Sequence, residues 1–174
     1  LTTLGREQCE DLAKTFAPMK RITHILCSPL HRTLETCLLS FDPLLAQGLE
    51  IIAWDGLREW GDGPCNQGDE YSALEEKVKE LPVNLGLLRK GWHTCEKVRF
   101  QSQKPLYMDV IKHELYSFCW TILGGGSWKG LKVDEFKGEG DIEVLVVSHG
   151  TLMKELTGKY PQRQFIPRKL LTLN

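Results

Sequence analysis

Ile22-Thr23-His24-Ile25-Leu26-Cys27-Ser28-Pro29-Leu30-His31-Arg32-Thr33 is the stretch that decides the fold of this 174-residue chain. Its first six residues form a largely β-branched, apolar run, and Ser28-Pro29 then opens a helix whose apolar positions Leu30, Leu34, Cys37 and Leu38 share one face. The unit reads strand, tight turn, helix. The same grammar returns near the other end. Ile142 to Val147 is nearly continuous valine and leucine, which suits a strand buried on both faces, and it feeds Ser148-His149-Gly150 and a helix from Thr151 to Thr157. Strands alternating with helices predict an α/β three-layer sandwich, a mostly parallel sheet flanked by helices.

Working outward, Cys9, Leu12, Ala13 and Phe16 follow the helical period after a capping Thr3, and Pro18 ends that helix. Ile51 to Trp54 reads as a short strand. Asp55 to Asp69, with four glycines and a proline, reads as an irregular loop of the length that often carries function. Tyr71 to Leu81 and Leu106 to Leu123 have helical spacing, Leu85 to Gln103 has no period, and Gly124 to Gly126 stops the second of these helices.

The length suits one domain, residues 1–174, with no repeat or linker to divide it. Its 22 basic and 23 acidic residues give a net charge of −1, so the overall balance shows no electrostatic footprint for nucleic acid or an anionic membrane, and any phosphate chemistry must come from a local site. No apolar run approaches the roughly 20 residues that span a bilayer. Six scattered cysteines without a C-x-x-C pair read as free thiols of a reducing, cytoplasmic compartment. The chain opens on Leu1 and its first methionine is Met19, beyond the first helical segment, which reads as a fragment or processed product.

In open parallel sheets, ligands gather where strands end and helices begin, because free N–H groups and the positive helix pole point there. Two such places carry special residues. Arg32 lies in the first turn after one strand, and His149 stands at the end of another, with Gly150 behind it to let backbone approach a ligand. A planar guanidinium and a switchable imidazole suit an oxyanion pocket. Taken singly, Arg32 reads as a surface helix arginine and His149 as an ordinary strand-end histidine; their equivalent positions favour a shared role. Glu59, opening the glycine-rich loop beside Trp60, is a third candidate: a carboxyl against an apolar ring gains proton affinity and suits a general acid. A loop glutamate by itself is simply solvated.

Four blocks in order, Leu1-Thr2-Thr3-Leu4-Gly5-Arg6-Glu7-Gln8, Ser28-Pro29-Leu30-His31-Arg32-Thr33-Leu34-Glu35-Thr36, Leu57-Arg58-Glu59 and Val146-Val147-Ser148-His149-Gly150, resemble successive signatures of the histidine phosphatase superfamily, the phosphoglycerate mutase-like proteins. Trp60-Gly61-Asp62-Gly63-Pro64-Cys65 and the ending Phe165-Ile166-Pro167-Arg168-Lys169 are most similar to the fungal phosphatase-like branch. The resemblance implies phosphomonoester chemistry through a phosphohistidine, without metal or other cofactor, on a small phosphorylated substrate. Carried over by position, Arg32, His149 and Gly150 bind phosphate, and the catalytic pair is His149, completing the pocket, and Glu59, donating the leaving-group proton and later activating water. Mutase relatives have Asn-Glu-Arg-His-Tyr-Gly where this chain has Arg58-Glu59-Trp60-Gly61-Asp62-Gly63, so the resemblance points to phosphatase over mutase action.

One part of the pattern is missing. The family's Arg-His-Gly motif ends a first strand preceding the segment matched by Leu1 to Gln8, and none of His24, His31, His93, His113 or His149 occupies its place. In that family the strand is central. Its absence predicts two rows of unpaired backbone groups at about 1–3 kcal/mol for each buried one, against a net stability of about 5–15 kcal/mol. That weighs towards a truncated chain. The alternative is that neighbouring strands close the gap and leave a non-catalytic protein, either one that binds a phosphorylated ligand or a plain interaction domain. Gly124 to Gly130 is a helix stop and not a phosphate loop, His93-x-Cys95 lacks a zinc partner pair, Lys77 and Lys79 with Glu75, Glu76 and Glu80 form a solvated face, and the five tryptophans read as core or loop anchors.

Overall fold

The computed structural model describes residues 1–59, 61, 63–94, 104–138 and 140–158. Helix α1 spans Thr3–Thr15, β1 Ile22–Cys27, α2 His31–Ser40, α3 Asp42–Leu45, β2 Ile51–Ala53, α4 Tyr71–Val78, β3 Val83–Asn84, α5 Lys104–Gly124, β4 Gly126–Trp128, β5 Leu131–Val133, β6 Glu143–Val147 and α6 Gly150–Thr157.

Four strands form one parallel sheet in the order β3-β2-β1-β6. Side chains alternate across it, as the period of two requires. Ile25 and Cys27 of β1 and Leu145 of β6 join Leu12, Leu34, Cys37 and Phe41 on one face. Leu26 and Val144 face the other way and meet Ile111, Leu115, Phe118 and Ile122 of α5 and Leu152 of α6. These are the three layers of an α/β sandwich.

The predicted central gap is absent from this sheet. β1 and β6 hydrogen-bond directly, with Ile25 opposite Leu145 and Cys27 opposite Val147. Each strand therefore satisfies the inner edge of the other, and β6 becomes an outer strand among the described residues.

Several boundaries differ from the sequence prediction for local reasons. Thr2, not Thr3, caps α1, its Oγ1 accepting from Gly5 N at 3.1 Å. The helix ends at Thr15, and Pro18 lies inside a following 3₁₀ turn, Ala17–Arg21. α2 starts at His31, because Ser28 and Pro29 belong to the turn that leaves β1. Gly124 does end α5, but the segment beyond it pairs as a β4–β5 hairpin, turning at Lys129 (φ 51°) and Gly130 (φ 89°). Two consecutive positive φ angles suit the twist of a two-residue hairpin turn. β3 carries no sequence signal, since two residues show no period. From the uninterpreted middle, Leu85, Leu87 and Trp92 enter the core. Trp54, Trp92 and Trp128 are buried, whereas Trp120 is 71% exposed and anchors nothing in the core. Cys9, Cys27, Cys37, Cys65 and Cys119 are free thiols; Cys95 lies outside the described residues. Among the described residues, no helix is long and apolar enough to cross a membrane.

Candidate functional site

The ends of β1, β2 and β6 lie side by side. Ser28 N donates to Val147 O and Trp54 N to Cys27 O, both at 2.9 Å, carrying the ladders one residue past the strands. The segments leaving these three strands are thereby collected at one rim. Thr33 Oγ1, directed at Ser28 O (2.9 Å) and Leu30 O (2.6 Å), fixes the turn into α2 and with it the start of the helix that bears Arg32.

Across that rim Arg32 Nε donates to His149 Nδ1 at 3.2 Å. The other ring nitrogen, Nε2, lies 2.8 Å from Ser28 Oγ. Because Nδ1 accepts from a guanidinium, the neutral ring carries its proton on Nε2 and donates it to Ser28. His149 is buried, and burial, followed by the nearby charges of Arg32 and Arg58, pushes its pKa down to about 3. At neutral pH this imidazole is a fixed neutral group and not the switchable one that residue type suggests.

The remaining donors of Arg32 meet the 3₁₀ turn Pro64–Asn66: Nη1 donates to Cys65 O, and Nη2 to Asn66 Oδ1 at 3.0 Å. Arg58 Nη2 donates to Asn66 O at 3.1 Å and its guanidinium stands 5.7 Å from the Trp92 ring centre. Glu59 reaches the start of α6, where its Oε2 accepts from Thr151 N at 3.4 Å. Gly150 is the exposed first residue of that helix, next to His149 at its N-cap. The structure thus gathers Arg32, Glu59, His149 and Gly150 from three separate segments of the chain. The predicted contact of Glu59 with Trp60 falls on a residue outside the described ones, as does Asp62 of the same loop.

The loop that delivers Glu59 is irregular among the described residues apart from two 3₁₀ turns, and its first turn is anchored from outside the loop. Asp55 is buried and paired to Arg89 Nε at 2.6 Å. Tyr107 OH donates to Gly56 O at 2.9 Å, and burial pushes this phenol up to about 12. Ser148 Oγ donates to Leu57 O at 2.7 Å, tying the exit of β6 to the 3₁₀ turn Asp55–Leu57. Sequence reasoning missed Ser28, Arg58 and Asn66. Ser28 was legible as the counterpart of Ser148, each following a buried strand. Asn66 carries no local signal.

The other described histidines have other surroundings, and His31 opens α2 directly before Arg32. His24 packs edge-on against Phe118, and burial pushes it down to about 4. His31 is exposed and pairs with Asp69, which Lys77 also holds at 2.8 Å. His93 abuts Trp92, and His113 is exposed on α5. A cavity of about 270 Å³ opens between α5, β6 and α6, lined by Leu115, Tyr116, Cys119, Val144, Val146 and Leu156 among others. None of Arg32, Glu59 or His149 borders it, and its walls are largely apolar.

Residues 1–98 match the family model of the histidine phosphatase superfamily (branch 1). The chain belongs to the histidine phosphatase superfamily. The matched part includes Arg32 and Glu59. This histidine phosphatase chain is similar in structure to the crystal structure of the ecdysone phosphate phosphatase, EPPase, from Bombix mori in complex with tungstate, at TM-score 0.53 and 18% identity. The likeness covers 99% of this chain and 64% of that one, so the chain spans less than two thirds of its structural neighbour's length. At that identity the likeness establishes the α/β fold. No curated protein matches the sequence. The ending Phe165 to Lys169, which resembles the fungal branch, lies outside the described residues.

Proposed function

We propose that the rim between β1 and β6 binds the phosphoryl group of small phosphomonoesters, and that the chain acts as a phosphatase through a phosphohistidine when a nucleophilic histidine is supplied from outside these 174 residues. The observation that carries this reading is the contact between Arg32 Nε and His149 Nδ1 at 3.2 Å, which unites two residues 117 positions apart at the ends of adjacent parallel strands. Arg32 supplies charge and a planar fork for the oxygens. The starts of α2 and α6 add the positive poles of two helices. The superfamily assignment and the tungstate held by the structural neighbour, a tetrahedral oxyanion, support the same chemistry.

In this reading the missing histidine's ring nitrogen attacks phosphorus and the ester P–O bond breaks. Glu59 gives its proton to the departing oxygen. Water then attacks the phosphohistidine while Glu59 takes its proton, releasing inorganic phosphate and the free imidazole. Gly150 leaves the N-terminus of α6 open to the anion. The likeness of residues 60–65 to the fungal phosphatase-like branch favours phosphatase over mutase action, and the free thiols favour a reducing compartment.

A second reading is favoured by one observation: among the described residues Arg32 hydrogen-bonds no histidine other than His149, whose two ring nitrogens are both engaged. On that reading the protein binds phosphorylated ligands without turning them over. The complete gene product, incubated with a ³²P-labelled phosphomonoester and quenched during turnover, separates the two. Acid-labile phosphohistidine and released phosphate support the enzyme; saturable phosphate binding without either supports the binding protein.

A further inference from the structure

Two consecutive residues at the start of α2 grip the segment Cys65–Asp69. Arg32 donates to Cys65 O and, at 3.0 Å, to Asn66 Oδ1. Directly before it, His31 pairs through Nε2 with Asp69. Lys77 of α4 donates to the same carboxylate oxygen at 2.8 Å and stands 3.1 Å from the same ring nitrogen. One short segment is therefore held to the helix at both of its ends, and Lys77, which the charge pattern places on a solvated helix face, turns back to close the cluster from a third element.

The cluster stays joined in either proton state of the imidazole. With a proton on Nε2 the ring donates to Asp69, and with a lone pair there it accepts from Lys77, whose ammonium reaches the carboxylate in both cases. The bond from Lys77, and after it the ring of His31, hold the Asp69 carboxyl below its ordinary value, so Asp69 is an anion at neutral pH. The side chains of His31 and Lys77 are more than half exposed. Ion pairs that exposed add little to the stability of a fold, so the effect of this one is local.

An arginine binds an anion best when its fork is already aimed, because ordering a long side chain at the moment of binding costs affinity. Attachment at Arg32 alone lets its acceptors swing with the loop; a second attachment one residue along the helix removes that freedom. We propose that Asp69 is a positioning residue of the phosphate site: by clamping the loop to His31 it holds Cys65 O and Asn66 Oδ1 where they aim the Arg32 guanidinium. The inference rests on the reading of Arg32 as a phosphate ligand and deepens it by naming what orients that arginine. Asp69, His31 and Lys77 act through Arg32 and take no part in holding the anion. Charge and position then act in opposite senses. A carboxylate near an anion repels it, so neutralising Asp69 tightens binding if charge alone matters and weakens binding if Asp69 aims Arg32.

The test is isothermal titration of the full chain with inorganic phosphate near pH 7.5, comparing wild type with Arg32→Ala and Asp69→Asn. Asp69→Asn keeps the shape of the side chain, and is expected to raise Kd about three- to tenfold, the scale of re-ordering one arginine on binding, with little change in the urea midpoint. The Nε–H resonance of Arg32, which donates to His149, is expected to broaden in the same variant. Loss of binding in Arg32→Ala with an unchanged or lower Kd in Asp69→Asn overturns the positioning role and leaves the reading of Arg32 standing. No binding to wild type, or unchanged binding in Arg32→Ala, removes the underlying reading and this inference with it. Should Asp69→Asn not fold, His31→Ala, at an exposed position, cuts the same link: a broadened Arg32 resonance and a raised Kd support the role, and a wild-type resonance with wild-type affinity overturns it.

Discussion

Arg32 donates from Nε to Nδ1 of His149 at 3.2 Å, so a permanent cation uses an imidazole lone pair as its acceptor. That contact fixes the ring tautomer, orients Nε2 towards Ser28 Oγ at 2.8 Å, and makes a second positive charge on the ring unfavourable. Its state and its strength can both be measured.

Replacing Arg32 by alanine removes the fork and leaves His149 Nδ1 without that donor. Phosphate or vanadate binding is expected to weaken by about 1.5–3 kcal/mol, the scale of a charged hydrogen bond. Calorimetry with either anion checks it, and an unchanged affinity places the anion elsewhere.

His149 is expected to remain neutral down to about pH 3 in the ligand-free protein, and His24 to about pH 4. Imidazole C–H shifts followed by NMR report both directly. Bound phosphate offsets the charge of Arg32, so saturation should move the His149 titration upward. A ring that titrates near 6.5 without ligand contradicts its burial beside two arginines.

The same two depressed values set the pH dependence of stability. Each histidine contributes fully above its ordinary pKa of 6.5, where folded and unfolded chains both hold it neutral. As pH falls below 6.5 the unfolded chain binds protons that the folded one refuses, so stability is lost, by about 1 kcal/mol per pH unit for each ring, until the folded values are reached. Urea melts between pH 7 and pH 5 test this. A flat profile would show that the rings are hydrated in the folded state.

Glu59→Gln separates proton donation from binding. In the complete, active protein it should slow alkyl phosphates, whose leaving oxygen needs a proton, far more than activated aryl phosphates. Equal slowing of both classes removes Glu59 from that role.

Gly68 lies against the face of Trp92, which is only 4% exposed, so a methyl group there meets the ring. Gly68→Ala should cost about 1–3 kcal/mol, the usual scale of overpacking, and should loosen the turn that holds Asn66. Chemical denaturation measures the first, and phosphate affinity the second.

Much of the scaffold was legible along the chain. Ile22–Cys27 and Glu143–Val147 were plain because buried parallel strands are almost uniformly apolar, and α5 because a 21-residue helix repeats its period many times. β3 and the β4–β5 hairpin were not, since strands of two or three residues are defined by their partners. Asp55 to Asp69 looked irregular for the same reason. The 3₁₀ turn Asp55–Leu57 at its start is held by Arg89, Tyr107 and Ser148, all distant in sequence.

The sequence by itself determined the α/β class, the strand-to-helix turns that carry Arg32 and His149, and the presence of Glu59 between them, because these depend on local periodicity and residue type. Only the tertiary structure decided that β1 pairs directly with β6, that His149 is held neutral against Arg32, and that Asn66 occupies both arginines. Pairing, burial and charge proximity are properties of neighbours in space, and a chain acquires them only when segments more than a hundred residues apart come together.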